Sequence, residues 1–212
     1  MGVMPRLAPQ SVADRRTQIL DAAKSCFIRL GFHNASMQQI CTAAGMSAGN
    51  LYRYFPSKDA LIEGLCERDM NEAADGFAAA RSARDVIAGL EAMMTEYLWK
   101  RPRENLCMWT EISSEATRSD AINRNSRRIY AFIQQSLTEV LVQGIANGTL
   151  RKGLDSVRVS MLTNAVFEGL MLRRAIAADF DPRPSISLYF AFLRAELEPA
   201  LSTRKNTRGA RK

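Results

Sequence analysis

The sequence predicts an all-α fold of about nine helices, three near the N-terminal end and a longer helical remainder. Apolar residues recur at steps of three and four along most of the chain. No stretch alternates β-branched and polar residues as a strand would. Glycines, prolines and serines fall between the periodic stretches, where helices start and stop.

Residues 1–10 contain Pro5 and Pro9 without periodicity and are expected to form a flexible basic arm. Ile19, Ala23, Phe27 and Leu30, followed by Gly31, predict a first helix over 12–30. Ser36-Met37-Gln38-Gln39 has the capping-box form, so a short helix is expected over 37–44, ending at Gly45. Ser47 caps another short helix, broken at Phe55-Pro56. Ser57 caps a fourth, whose apolar face runs through Leu61, Leu65, Met70 and Ala73 as far as Ala80. Further helices are expected over 84–100, 103–116, 119–147, 157–178 and 185–200, separated at Pro102, Asn147-Gly148 and Asp181 to Pro184. The tail 202–212 has no apolar anchor and is expected to be disordered.

The chain has 212 residues, 47% hydrophobic and 24% charged, with a formal net charge of +7. The excess sits at the ends. Residues 1–60 carry seven basic and three acidic side chains, residues 202–212 five basic and none acidic, and the stretch between them 17 basic and 19 acidic. Such a distribution attracts polyanions without naming one. No window approaches the roughly 20 apolar residues of a membrane helix, and Arg6, Asp14, Arg15 and Arg16 stand where a secretory signal would be apolar. A cytoplasmic protein without membrane attachment is therefore expected. Cys26, Cys41, Cys66 and Cys107 show no C-x-x-C spacing and His33 is the single histidine, so neither a metal site nor any cofactor is expected.

The short helices on either side of Gly45-Met46 read as a helix-turn-helix, with glycine free to take the left-handed conformation of a tight turn. The second begins with Ser47, Ala48, Gly49 and Asn50, small or polar residues that let a backbone approach base edges in a major groove. Leu51 and Phe55 face inward. Tyr52, Tyr54 and Lys58 are expected on the exposed flank, with donors suited to phosphate oxygens.

The stretch from Ile19 to Leu61 resembles the DNA-binding domain of the TetR family of bacterial transcriptional regulators. The pattern A-G-[VM]-S-x-G-x-L-Y-x-Y-F-x-S-K-x-x-L is met from Ala44 to Leu61. The resemblance implies a DNA-binding domain over 11–57 and a ligand-binding and dimerisation domain over 58–201. It implies that Ala48, Asn50 and Arg53 face bases or the nearby backbone, that Tyr52, Tyr54 and Lys58 touch phosphates, and that Ser36, Met37 and Gln38 meet the opposite groove wall. Tyr54 stands where histidine is also common in the family. The run from Trp109 to Ala116 resembles the C-terminal domain of the family's choline-responsive subgroup and implies no particular ligand.

Gly45-Met46-Ser47-Ala48-Gly49 is also a literal G-x-S-x-G, the nucleophile elbow of α/β hydrolases. That elbow needs a strand before the serine and a triad histidine after it, whereas a helix precedes Ser47 and His33 lies upstream, so no enzyme is expected.

Met93, Met94, Tyr97, Met108, Trp109, Phe132, Phe167 and Met171 are large adaptable groups expected to surround a ligand, with Glu111, Glu115 or Arg128 adding charge. On the last two helices, Met161, Ala165 and Gly169, then Ile186, Tyr189, Phe190, Leu193 and Leu197, are expected to pack as a two-fold four-helix interface. The function expected is a homodimeric repressor that binds a palindromic operator in double-stranded DNA and is released by a small-molecule inducer. An effector-independent architectural DNA-binding protein is the alternative.

Overall fold

The computed structural model of the chain describes residues 11–197, and these form nine α-helices and one π-helical turn, with no strand among them. The helices are α1 (Val12–Leu30), α2 (Met37–Ala43), α3 (Ala48–Tyr54), α4 (Lys58–Ser82), α5 (Val86–Thr95), α6 (Arg103–Glu115), α7 (Asp120–Ala146), α8 (Ser156–Ile176) and α9 (Arg183–Leu197). The arm at 1–10 and the tail at 202–212 lie outside the described residues. Serine or aspartate caps most N-termini. Ser11, Ser36, Ser47, Ser57, Asp85, Ser119 and Asp155 each accept the backbone N–H three residues on.

One expectation is corrected by a change of helix type. The single helix expected over 84–100 ends at Thr95 and continues as a π-helical turn, Glu96–Lys100. The wider turn re-aims successive side chains before Pro102 stops the run. Leu98 enters the core, Tyr97 stacks edge-on against Phe167 with ring centres 5.2 Å apart, and Trp99 lies under the guanidinium of Arg183 at 3.8 Å.

Two apolar clusters hold the helices together. The first joins α1, α2 and α3 to the opening turns of α4 through Phe27, Ile40, Leu51, Phe55, Leu61 and Leu65, and takes in Met108, Trp109 and Ile112 from α6. The second joins the end of α4 to α5, α7 and α9 through Phe77, Leu90, Val140, Phe190 and Leu193. The 25 residues of α4 span roughly 37 Å and belong to both.

Where α5 crosses the end of α4 the backbones nearly touch. A Cβ on Gly89 would stand 2.8 Å from the Ala80 Cα and 3.1 Å from its carbonyl oxygen. Gly89→Ala is therefore expected to force the helices apart at a cost of about 1–3 kcal/mol, seen as a lower urea midpoint. An unchanged midpoint would mean the crossing has slack.

Candidate nucleic-acid interface and cavity

The turn between α2 and α3 pivots on Gly45, whose φ of +63° is the left-handed conformation expected there. Gln18 of α1 donates to the Ala44 carbonyl at 2.8 Å, and the Cys41 thiol donates to the Met46 carbonyl. Leu51, with no exposed surface, and Phe55, 2% exposed, anchor α3 in the first cluster. The Arg16 guanidinium lies 4.5 Å over the Phe55 ring. Outward from these anchors, Ser47, Gly49, Tyr52 and Arg53 are exposed, and Ala48 and Asn50 are half-buried. Arg53 Nη2 donates to Asn50 Oδ1 at 2.8 Å, so these two side chains are presented as a pair. On α2 and its cap, Ser36 and Gln38 are exposed and Met37 is half-buried against the core.

Two residues expected on the exposed flank sit differently. Tyr54 lies three residues on from Leu51, hence on the same helical face, and is half-buried against the first cluster. Lys58 folds back onto the turn after α1. Its Nζ donates to the carbonyls of Phe32 at 2.8 Å and His33 at 3.2 Å and lies 4.6 Å over the Phe32 ring. An ammonium has three donors, so one remains for an outside acceptor.

The same turn is held from the other side by α6. Glu111 Oε1 accepts the Phe32 N–H at 2.9 Å, and His33 Nε2 stands 3.1 Å from Glu115 Oε2.

Between α4, α5, α6, α7, α8 and α9 lies a cavity of about 630 Å³. Of the residues expected around a ligand, Met93, Met94, Tyr97, Trp109, Phe167 and Met171 line it. Met108, Glu111 and Phe132 do not. Trp109 and Ser113 share the cavity face of α6, whereas Met108 is buried in the first cluster and Glu111 reaches the turn after α1. Phe132 packs behind the wall, edge-on to Phe77. Of the charges suggested, Glu115 faces His33, and Arg128 pairs with Glu63 and Glu67 across α4.

The sequence reading missed Asp69, Cys66, Arg127 and Glu168 among the lining groups. Asp69 had a signal: a carboxylate on the apolar stripe of Leu65, Cys66, Met70 and Ala73. Burial pushes its carboxyl above the usual range, with Arg101 and Lys24 pulling it back. Arg101 Nη1 meets Asp69 Oδ2 at 3.3 Å, and Nη2 meets Glu72 at 2.6 Å. Burial also pushes the Cys66 thiol up to about 12, so it stays protonated in the wall.

Helix α8 turns its polar side inward. Ser156, Ser160, Thr163 and Asn164 are buried, with Ser160 bonded to Gln134 and Thr138 of α7 and Thr163 to the Tyr189 hydroxyl. Its apolar side faces out: Val157, Met161, Leu162, Leu172 and Ile176 are exposed, as are Ala165 and Gly169, and on α9 Leu188 and Phe192 are exposed as well. Of the residues expected at a subunit interface, Met161, Ala165 and Gly169 thus lie on the exposed side of α8. Ile186, Phe190, Leu193 and Leu197 do not. They are buried within the protomer against α5, and Tyr189 is half-buried. Both faces of α9 are apolar, so periodicity did not distinguish the inner from the outer one.

Among the described residues no helix is long and apolar enough to cross a membrane. Residues 19–65 match the family described as bacterial regulatory proteins, tetR family, and residues 86–198 match that described as BetI-type transcriptional repressor, C-terminal. Over 179 residues the chain is 26% identical to the HTH-type transcriptional repressor Rv1474c of Mycobacterium tuberculosis, covering 83% of this chain and 90% of that one. It is 26% identical over 204 residues to the HTH-type transcriptional regulator BetI of Serratia proteamaculans, covering 92% and 97%. The structure of Salmonella enterica GusR superposes with a TM-score of 0.75 at 26% identity, covering 89% of this chain and 95% of that one.

Proposed function

Because the chain belongs to the TetR family of bacterial regulatory proteins, we propose that it is a homodimeric transcriptional repressor that grips a palindromic operator and releases it when a small molecule fills the cavity. The observation that carries this reading is the presentation of α3. Ser47, Gly49, Tyr52 and Arg53 face outward on a helix pinned from behind by Leu51 and Phe55. A helix with small residues at its start and a rigid backing fits a major groove, and a two-fold site needs two such helices. The open apolar face of α8 and α9 supplies the means of pairing them.

Release follows from linkage. A ligand that prefers a spacing of the two α3 helices unsuited to successive major grooves weakens operator binding by the factor by which operator weakens ligand binding. The path is short. Trp109 lines the cavity, Glu111 on the same helix holds the Phe32 N–H, and Lys58 at the start of α4 holds the Phe32 carbonyl. Movement of α6 or α4 therefore tilts the turn that carries α2 and α3.

Selection of random-sequence duplexes on the full chain is expected to enrich a two-fold site with half-sites about one helical turn apart or a multiple of that. Asn50→Ala is expected to cost about 1–3 kcal/mol on the selected site and much less on random DNA. No enriched site, or equal losses on both duplexes, would overturn the reading.

A further inference from the structure

Two side chains on the outward face of α3 are held in one arrangement before any DNA is met. Arg53 is exposed, and it leans back toward the start of the helix, the direction in which helical side chains tilt. There its Nη2 donates to Asn50 Oδ1 at 2.8 Å. The guanidinium also lies 5.4 Å over the ring of Tyr54, which is itself half-buried against the first cluster. A guanidinium has no acceptor, so the amide oxygen of Asn50, and not its nitrogen, must face it. The space ahead is clear: Gly49, one turn before Arg53, is exposed, and a Cβ there would meet nothing within 4 Å. Arg53 is thus carried toward the first turn of α3, the end that meets base edges in a helix-turn-helix.

The Arg53–Asn50 bond decides which base the pair can read. Asparagine reads adenine by accepting from N6 with its amide oxygen while its nitrogen donates to N7. Here that oxygen is taken, and what the pair turns outward is donors only: the Asn50 amide N–H groups and the remaining N–H groups of Arg53. Guanine answers them with two neighbouring acceptors, O6 and N7. Adenine and cytosine each set an amino group against them, and thymine offers one acceptor beside a methyl group. Turning Asn50 round to adenine would give up a charge-assisted bond in a groove cleared of water.

We propose, on the footing of the repressor reading above, that α3 specifies a guanine in each half-site through Arg53, with Asn50 as the positioning residue that aims the guanidinium and is itself barred from adenine.

Selection of random-sequence duplexes on the full chain, repeated with Arg53→Ala and Asn50→Ala, tests the proposal. The parent chain is expected to enrich guanine at one position of each half-site, any other base there weakening binding about tenfold or more. Arg53→Ala is expected to abolish that preference and, with Asn50 Oδ1 set free, to favour adenine within a base pair of the same position by about fivefold. Asn50→Ala is expected to weaken the selected site and narrow the guanine margin about fivefold, with no gain of adenine. Circular dichroism checks that both variants keep the parent's helicity. Selection of adenine by the parent, or a guanine preference that survives Arg53→Ala unchanged, would overturn the proposal while leaving the repressor reading standing. Loss of guanine in Arg53→Ala without a gain of adenine would overturn the part given to Asn50. Failure of the parent to enrich any two-fold site would overturn the repressor reading and the guanine with it.

Discussion

Phe55→Ala is expected to destabilise the chain by about 3–5 kcal/mol, the range for deleting a buried aromatic ring. Phe55 closes α3, accepts the stacked Arg16 guanidinium and fills the space beside Gly64, where a Cβ would come within 3.0 Å of its ring. Little can move in to refill that volume: Leu20 presses on Gly64 from the other side, at 2.9 Å from the same Cβ position. Urea unfolding followed by circular dichroism measures the loss. Operator affinity is expected to fall with it, because the ring also fixes the direction of α3. A loss below about 1 kcal/mol would mean that the site collapses around the missing ring, contrary to its close packing.

Phe192→Glu is expected to leave the protomer folded and abolish the proposed pairing. Phe192 is 63% exposed, one helical turn from Leu188 at 59%, and Leu162 of α8 is 56% exposed. A carboxylate on a lone protomer remains in water and costs little. In a two-fold contact it brings a second copy of itself and is desolvated, which weakens association by roughly 100-fold or more. Sedimentation should give a dimer for the parent chain and a monomer for the variant at equal helicity. Because two weakly held α3 helices replace one linked pair, operator affinity should fall by at least as much. A variant that stays dimeric would move the interface elsewhere.

The helices were largely legible because the signals that define them are local. Ser36 with Gln39, Ser47, Ser57, Gly45 and Pro102 mark caps and stops by the hydrogen bonds they make or refuse, and the observed boundaries fall within a few residues of those marks. The π-helical turn was not legible, since nothing in Glu96 to Lys100 distinguishes a wide turn from an ordinary one until Tyr97 and Trp99 find their partners. The cavity was half legible. Apolar spacing identified Met93, Tyr97, Trp109 and Phe167, but Glu111 was assigned to the wrong side of α6, because the facing surface is made by a turn some 80 residues away in the chain. On α8, burial of Ser160 and Thr163 runs against the rule that apolar residues go inside. The proposed pairing through the outer face accounts for it.

That reversal ties abundance to survival. A subunit of this chain with α8 uncovered carries a strip of valine, methionine and leucine as bait for proteases and for other sticky surfaces. Under the proposed pairing, lifetime in a cell is set by how soon a subunit meets its twin, so that slow synthesis shortens the life of each molecule as well as lowering the number made.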